Sequence, residues 1–265
     1  MDAEPTPRGV VVPTAADRAR AVIDRRPVLS AFLLTLAWYV VLFALAETIA
    51  SWQPRWFPDL GYTLINLGAA AVPIGLILWL GWARSAGLVW RRPDRSWWLV
   101  APLLLEALSY SLHGVVGTPR ELLSAAVLYI ALGISEEALS RGLVQRVLAV
   151  LGPARAAIGV AVLFGAGHVL SGLWFSHPLG DTIFLSINAA AFGFAFAALR
   201  WHLRTIWPLV AVHALGDFLQ ILGPDYLPFD VRVAYLLAYI GYGSWLLGRL
   251  PDGAAAVTSE NSATA

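Results

Sequence analysis

Glu136, Glu137 and Arg141 stand in the run Ile134-Ser135-Glu136-Glu137-Ala138-Leu139-Ser140-Arg141-Gly142, inside a hydrophobic stretch from about 122 to 151. Each such group costs about 2.5–3.5 kcal/mol at the centre of a membrane helix on insertion scales, so three in so short a run need a use. Glu137 and Arg141 are spaced i,i+4 with the acid N-terminal, the favourable order for a helical ion pair, and neutralise each other. Glu136 lies about 100° around the helix, on the face of Leu132, Gly133, Leu139, Ser140 and Leu143, where no cation is available. A structural ion-pair cluster that fixes helix packing accounts for Glu137 and Arg141 but leaves Glu136 over. A carboxylate without a partner in its own helix, beside small residues that leave room for water or substrate, is a functional residue first.

Two further segments carry ionisable groups at membrane depth. Phe164-Gly165-Ala166-Gly167-His168 and His213-Ala214-Leu215-Gly216-Asp217 place Phe164 with His168, and His213 with Asp217, on one helical face each. Either histidine alone reads as a packing residue hydrogen-bonded to a neighbouring helix. Measured from Arg146, Arg155 and Arg204, however, Glu136, His168 and His213 lie about 15, 20 and 14 Å into their helices at 1.5 Å per residue, a similar layer. Three helices delivering Glu, His, and His with Asp to one depth predict one convergent site.

The chemistry of such a set is hydrolysis. A buried carboxylate can take a proton from water and later hand it to a leaving amine, while a histidine shares that water. A second histidine with an acid on a neighbouring helix can stabilise the oxyanion of a tetrahedral intermediate. The same Glu136, His168, His213 and Asp217 are also a ligand set for a divalent metal such as zinc. The HExxH pair is absent, and the sequence leaves glutamate and metal catalysis open. Phe164 reads as packing beside the site. Ser135, Ser140 and Ser171 are read as small packing residues, and no Gly-x-Ser-x nucleophile loop is found. Glu106 and Asn188 also lie at membrane depth without a motif. Glu106 is read as a supporting or protonated, satisfied side chain.

The elements that must position these residues are helical. The 265-residue chain is 58% hydrophobic and 13% charged, against about one quarter charged in soluble domains, which predicts an all-α polytopic membrane protein. There is no cysteine and no lysine, which removes disulfides, thiolate nucleophiles, Cys-ligated zinc and Schiff-base chemistry. The arginines form no nucleic-acid stripe. Eight runs are long enough to cross about 30 Å of hydrocarbon: 28–51, 60–83, 97–116, 122–151, 156–175, 182–201, 205–222 and 231–250. The membrane domain is thus 28–250. Residues 1–27 form a polar cytoplasmic tail with a short helix over Ala15–Arg25, and 251–265 a disordered tail. With the N-terminus inside, fourteen arginines fall on the cytoplasmic side and three, Arg55, Arg120 and Arg232, on the other, which places both termini in the cytoplasm.

Taken together, Glu136-Glu137-x-x-x-Arg141, Phe164-x-x-x-His168 and His213-x-x-x-Asp217 resemble the CAAX-protease and bacteriocin-processing (CPBP, or Abi) family of intramembrane endopeptidases, over about 97–222. The resemblance implies Glu136 as the water-activating base, His168 as its partner on the water, and His213 with Asp217 at the oxyanion or a metal. It makes Glu137 and Arg141 supporting residues. The family's third motif ends in Asn or Asp, and an Asp here is a weaker oxyanion donor than Asn unless it is protonated or binds metal. The implied substrate is a membrane-associated or lipidated peptide or protein, CAAX-type or bacteriocin-like. The implied setting is the lipid bilayer of a bacterial cell membrane. A proton-coupled transporter and a non-catalytic scaffold are the competing classes. Against the first stand the missing internal repeat and the concentration of ionisable groups in spans four, five and seven, and against the second stands the intact set of motif side chains.

Overall fold

The computed structural model describes residues 13–224 and 227–250, and these are helical with no strand. The expected tails fall partly outside them, at 1–12 and 251–265. The short helix expected at the N-terminus is present as α1 (Ala15–Arg25), opened by a capping box in which Asp17 N donates to Thr14 Oγ1 and Thr14 N to an Asp17 carboxylate oxygen. Arg20 ties α1 to the bundle by donating to Leu80 O at 2.8 Å.

Pro27 then opens α2 (Pro27–Ile49), and α3 (Leu60–Trp79) returns antiparallel to it. Among the described residues, five helices are long and apolar enough to cross a membrane: α2, α3, the continuous helical run 119–151, α7 (Pro153–Trp174) and α8 (Leu179–Leu203). The remaining expected spans are realised differently. The run at 97–116 becomes a tight turn of 3₁₀ helix, Arg95–Val100, followed by the short α4 (Ala101–Ser109), because Pro102 restarts the helix and a polar stretch from Ser109 ends it. The seventh run is the 16-residue α9 (Trp207–Leu222). The eighth, α10 (Phe229–Gly248), carries Asp230, Arg232 and three tyrosines, and is too polar to join the five.

The site-bearing stretch 119–151 is not one regular helix. A Thr118–Glu121 capping box with Pro119 behind it starts α5 (Pro119–Glu137). At Glu137 the chain widens into a π-helical segment, Ala138–Val144, before α6 (Gln145–Leu148) and a last 3₁₀ turn. Helices pack around this segment from several sides, so every side chain from Ala138 to Val144 is buried, Arg141 included. Gly152 stops the run with φ of 89°, a conformation open to glycine, and Pro153 starts α7.

Small residues let the site-bearing helices approach closely. A Cβ at Gly133 of α5 would lie 3.1 Å from Val210 O of α9, and one at Gly165 of α7 would lie 2.8 Å from Ser186 O of α8. At the end of the bundle that holds α1, residues 80–90 are laid against the α8–α9 turn. Ile206 N and Thr205 Oγ1 donate to Gly87 O at 3.0 and 3.1 Å, and Trp207 Nε1 donates to Leu88 O at 2.8 Å. Leu80, Trp82, Ala86, Leu203 and Ile206 are buried there, so that end is closed by packed side chains.

Candidate active site

Glu137 is where the chemistry-bearing helices join. Its Oε1 accepts from Arg141 Nη1 at 2.7 Å along α5 and from His213 Nδ1 at 2.8 Å on α9, and both acidic and basic side chains of the helical pair have no solvent exposure. The i,i+4 ion pair expected from the sequence therefore forms. The second bond was not legible: Glu137 also clamps His213, which fixes the imidazole ring with Nδ1–H donated to a carboxylate and Nε2 turned away from it.

Nε2 of His213 lies 3.7 Å from Glu136 Oε2 and 3.5 Å from Asp217 Oδ2. Both distances are longer than a good hydrogen bond, so this nitrogen stands between the two carboxylates without being committed to either. Glu136 is the less enclosed acid of the neighbouring pair, its side chain 19% exposed against none for Glu137. His168 is held in the same manner as His213: Nδ1–H donates to Phe164 O at 2.9 Å, one turn back on α7, which frees its Nε2.

Glu136, His168, His213 and Asp217 line one cavity of about 240 Å³, bordered by Phe164, Asn188 and Phe192 as well. The structure thus brings all four expected residues together from α5, α7 and α9. Phe164 does more than fill space. Its ring lies 4.6 Å from the Arg141 guanidinium, and Phe196 and Phe192 of α8 stand at 5.1 and 5.7 Å. Arg141 Nε and Nη2 have no hydrogen-bond acceptor among the described residues, so these three ring faces are the main company of the buried cation beside Glu137. Cation–π contacts reach about 2 kcal/mol or more each when desolvated. The α8 phenylalanines carried no sequence signal, since an aromatic in an apolar helix looks like any core residue.

Two groups left without a motif also border the cavity. Glu106 of α4 lines the cavity beside Tyr110 and Tyr239. Asn188 of α8 turns its amide back to Phe184 O at 2.9 Å. On the opposite side of Glu136 a void of about 10 Å³ lies among Thr35, Trp38, Tyr39 and Ser140, the size of a single water.

As a metal site the arrangement does not fit. Among the described residues no three His, Asp or Glu side chains converge closely enough to hold an ion. No step is therefore routed through a metal below. What the geometry can do is move a proton between water and Glu136 beside two histidine nitrogens, in a cavity whose wall mixes apolar side chains with Glu106, Asn188, Asp217, Gln220 and Arg232.

Residues 118–219 match the family model described as Rce1-like, type II CAAX prenyl endopeptidase. Neither a curated protein nor a solved structure matches the chain. The matched segment begins at the cap of α5 and ends on α9 just beyond Asp217, and it contains all three motifs.

Proposed function

We propose, from the match of residues 118–219 to the Rce1-like family model, that Glu136 drives hydrolysis of a peptide bond inside the bundle. The substrate is a membrane-associated or lipidated peptide or protein. The observation that carries this reading is the lining of a single cavity by Glu136, His168, His213 and Asp217.

In the proposed reaction Glu136 accepts a proton from a water held between it and His168 Nε2 as the water oxygen attacks the scissile carbonyl carbon. A C–O bond forms and the carbonyl becomes an oxyanion. His213, its Nδ1–H held by Glu137, presents Nε2–H to the oxyanion as a hydrogen-bond donor. Asp217 keeps that N–H directed into the cavity. The C–N bond then breaks and Glu136 returns its proton to the leaving amine, so the carboxylate is regenerated with one water consumed. Glu137 and Arg141 act by positioning, through the bond from His213 and the buried ion pair. Eight crossings, formed by α2, α3, the 95–109 pair, the 119–151 run and α7 to α10, complete the proposal, with both termini on the arginine-rich cytoplasmic face.

The test is product analysis. Purified protein in liposomes is given a library of membrane peptides, and products are identified by mass. Paired fragments whose masses sum to the parent plus one water support hydrolysis. Intact peptide accumulating inside the liposomes without fragments would overturn it in favour of a carrier.

A further inference from the structure

Glu136 has two neighbourhoods. On one side it faces the large cavity with the histidines, and on the other it borders the small void of about 10 Å³; only Glu136 and Phe164 line both. The far wall of the void is α2, which lies outside the matched segment 118–219. That wall is seated firmly on α7. The Phe43 ring stacks on Trp174 with centroids 4.4 Å apart and planes 3° from parallel. The Tyr39 hydroxyl occupies the place that a Cβ at Gly167 would take, one residue before His168.

Trp38 stands in that wall. It is 1% exposed, and its Nε1 has no acceptor among the described residues, Glu136 included. Leaving a buried N–H dry is costly, and folded proteins meet such groups with their own acceptors or with ordered water. A void of this size holds one water when two to four polar groups surround it. Thr35 already spends its hydroxyl proton on Ala31 O at 2.9 Å, which leaves the Trp38 indole, the Glu136 carboxylate and the Ser140 hydroxyl to serve it. We infer that one resident water fills this void, accepting from Trp38 Nε1–H and donating to the Glu136 carboxylate and to Ser140. A carboxylate held from behind keeps its other oxygen toward His213, whose Nε2 lies 3.7 Å from Glu136 Oε2. Trp38 is thus a positioning residue for the base, supplied by a helix that carries none of the motifs. The catalytic part of this inference rests on the hydrolytic reading of the site, and the water itself does not.

The test is magnetic resonance of the full chain in detergent with its indole nitrogens isotopically labelled. Among the twelve tryptophans, the Trp38 signal is identified by its loss in Trp38→Phe, or in Trp38→Tyr should the first not fold. In the wild type this N–H should show a direct cross-relaxation peak at the water frequency, and its signal should move in Glu136→Gln. A Trp38 N–H with cross-peaks to aliphatic protons alone, or one indifferent to Glu136→Gln, would overturn the site. Turnover tests the positioning role. Val160→Ile narrows the void from the α7 side and leaves Trp38 and Glu136 in place. It should lower kcat about 3–10-fold, the worth of one hydrogen bond, with KM within about twofold. An unchanged kcat would overturn the role, and an accompanying rise in melting midpoint is what filling a dry space gives. A water peak in a wild type that cleaves no peptide would keep the water and sink the protease reading instead.

Discussion

Arg141→Met removes the guanidinium from a pair in which Nη1 and Oε1 are 2.7 Å apart and neither side chain meets solvent. For charge centres about 4 Å apart at an effective dielectric of about 20, Coulomb attraction is about 4 kcal/mol. Removing one member of a buried pair costs about 3–5 kcal/mol, because the remaining charge stays buried. Methionine keeps an apolar stem against Phe164 and Phe196, so the loss is electrostatic more than volumetric. Glu137→Gln strands Arg141 in the same way but leaves an amide oxygen to accept from His213 Nδ1. Each single variant should therefore lower the thermal midpoint by about 6–20 °C, at about 2–4 °C per kcal/mol. The double variant should lose clearly less than the sum of the two, since neither charge is then left alone. Thermal scans of intrinsic tryptophan fluorescence in detergent would measure this cycle, the chain having twelve tryptophans. Additive losses in the double variant would refute the pair as an electrostatic unit.

Other consequences are as specific. His213→Ala removes the oxyanion partner and should cut kcat by about 10²–10³, with a lowered melting midpoint as well because a buried ring bonded to Glu137 is lost, checked by peptide turnover at a temperature where a melting scan shows the variant folded. Gly165→Ala puts a methyl 2.8 Å from both Ser186 O and Ala190 Cβ, which forces α7 from α8 and should cost about 1–3 kcal/mol, read as a lowered midpoint. A chelator should leave turnover unchanged, because no three ligating side chains converge; loss of activity restored by zinc would contradict this. At the surface, Thr14 and then Arg20 hold the Asp17 carboxyl down to about 2 from 3.8. The contribution of that cap to α1 is thus complete above the ordinary carboxylate value and lost as pH falls through about 2. A spin label at Val22 should gain mobility over that acid range, and Asp17→Asn should show the gain already at neutral pH.

The helical class and the site residues were legible because a charge in an apolar run stands out against its background. Glu136, His168, His213 and Asp217 were recognisable one by one, and their common depth followed from counting residues to the nearest arginines. What a 3.6-residue period could not show was the π segment at Ala138–Val144, nor that helices pack around it closely enough to bury Arg141 completely. Nor could it show the bond from His213 to Glu137, since residues far apart in sequence carry no mark of which oxygen they will meet. The aromatic enclosure of Arg141 by Phe192 and Phe196 was hidden for the opposite reason, as phenylalanine in an apolar helix is ordinary. Hydropathy alone could not show that the run at 97–116 divides into a 3₁₀ turn and a short helix restarted at Pro102.

The central claim is that the Glu136 carboxylate moves the proton that makes water a nucleophile. Glu136→Gln keeps the shape and removes the base. With a peptide that the wild-type protein cleaves, the measurement is kcat for the two proteins at matched folding, shown by equal melting midpoints or higher in the variant. The account predicts a loss of about 10²–10⁴ or more. Turnover by a folded Glu136→Gln variant within a few-fold of wild type would contradict it.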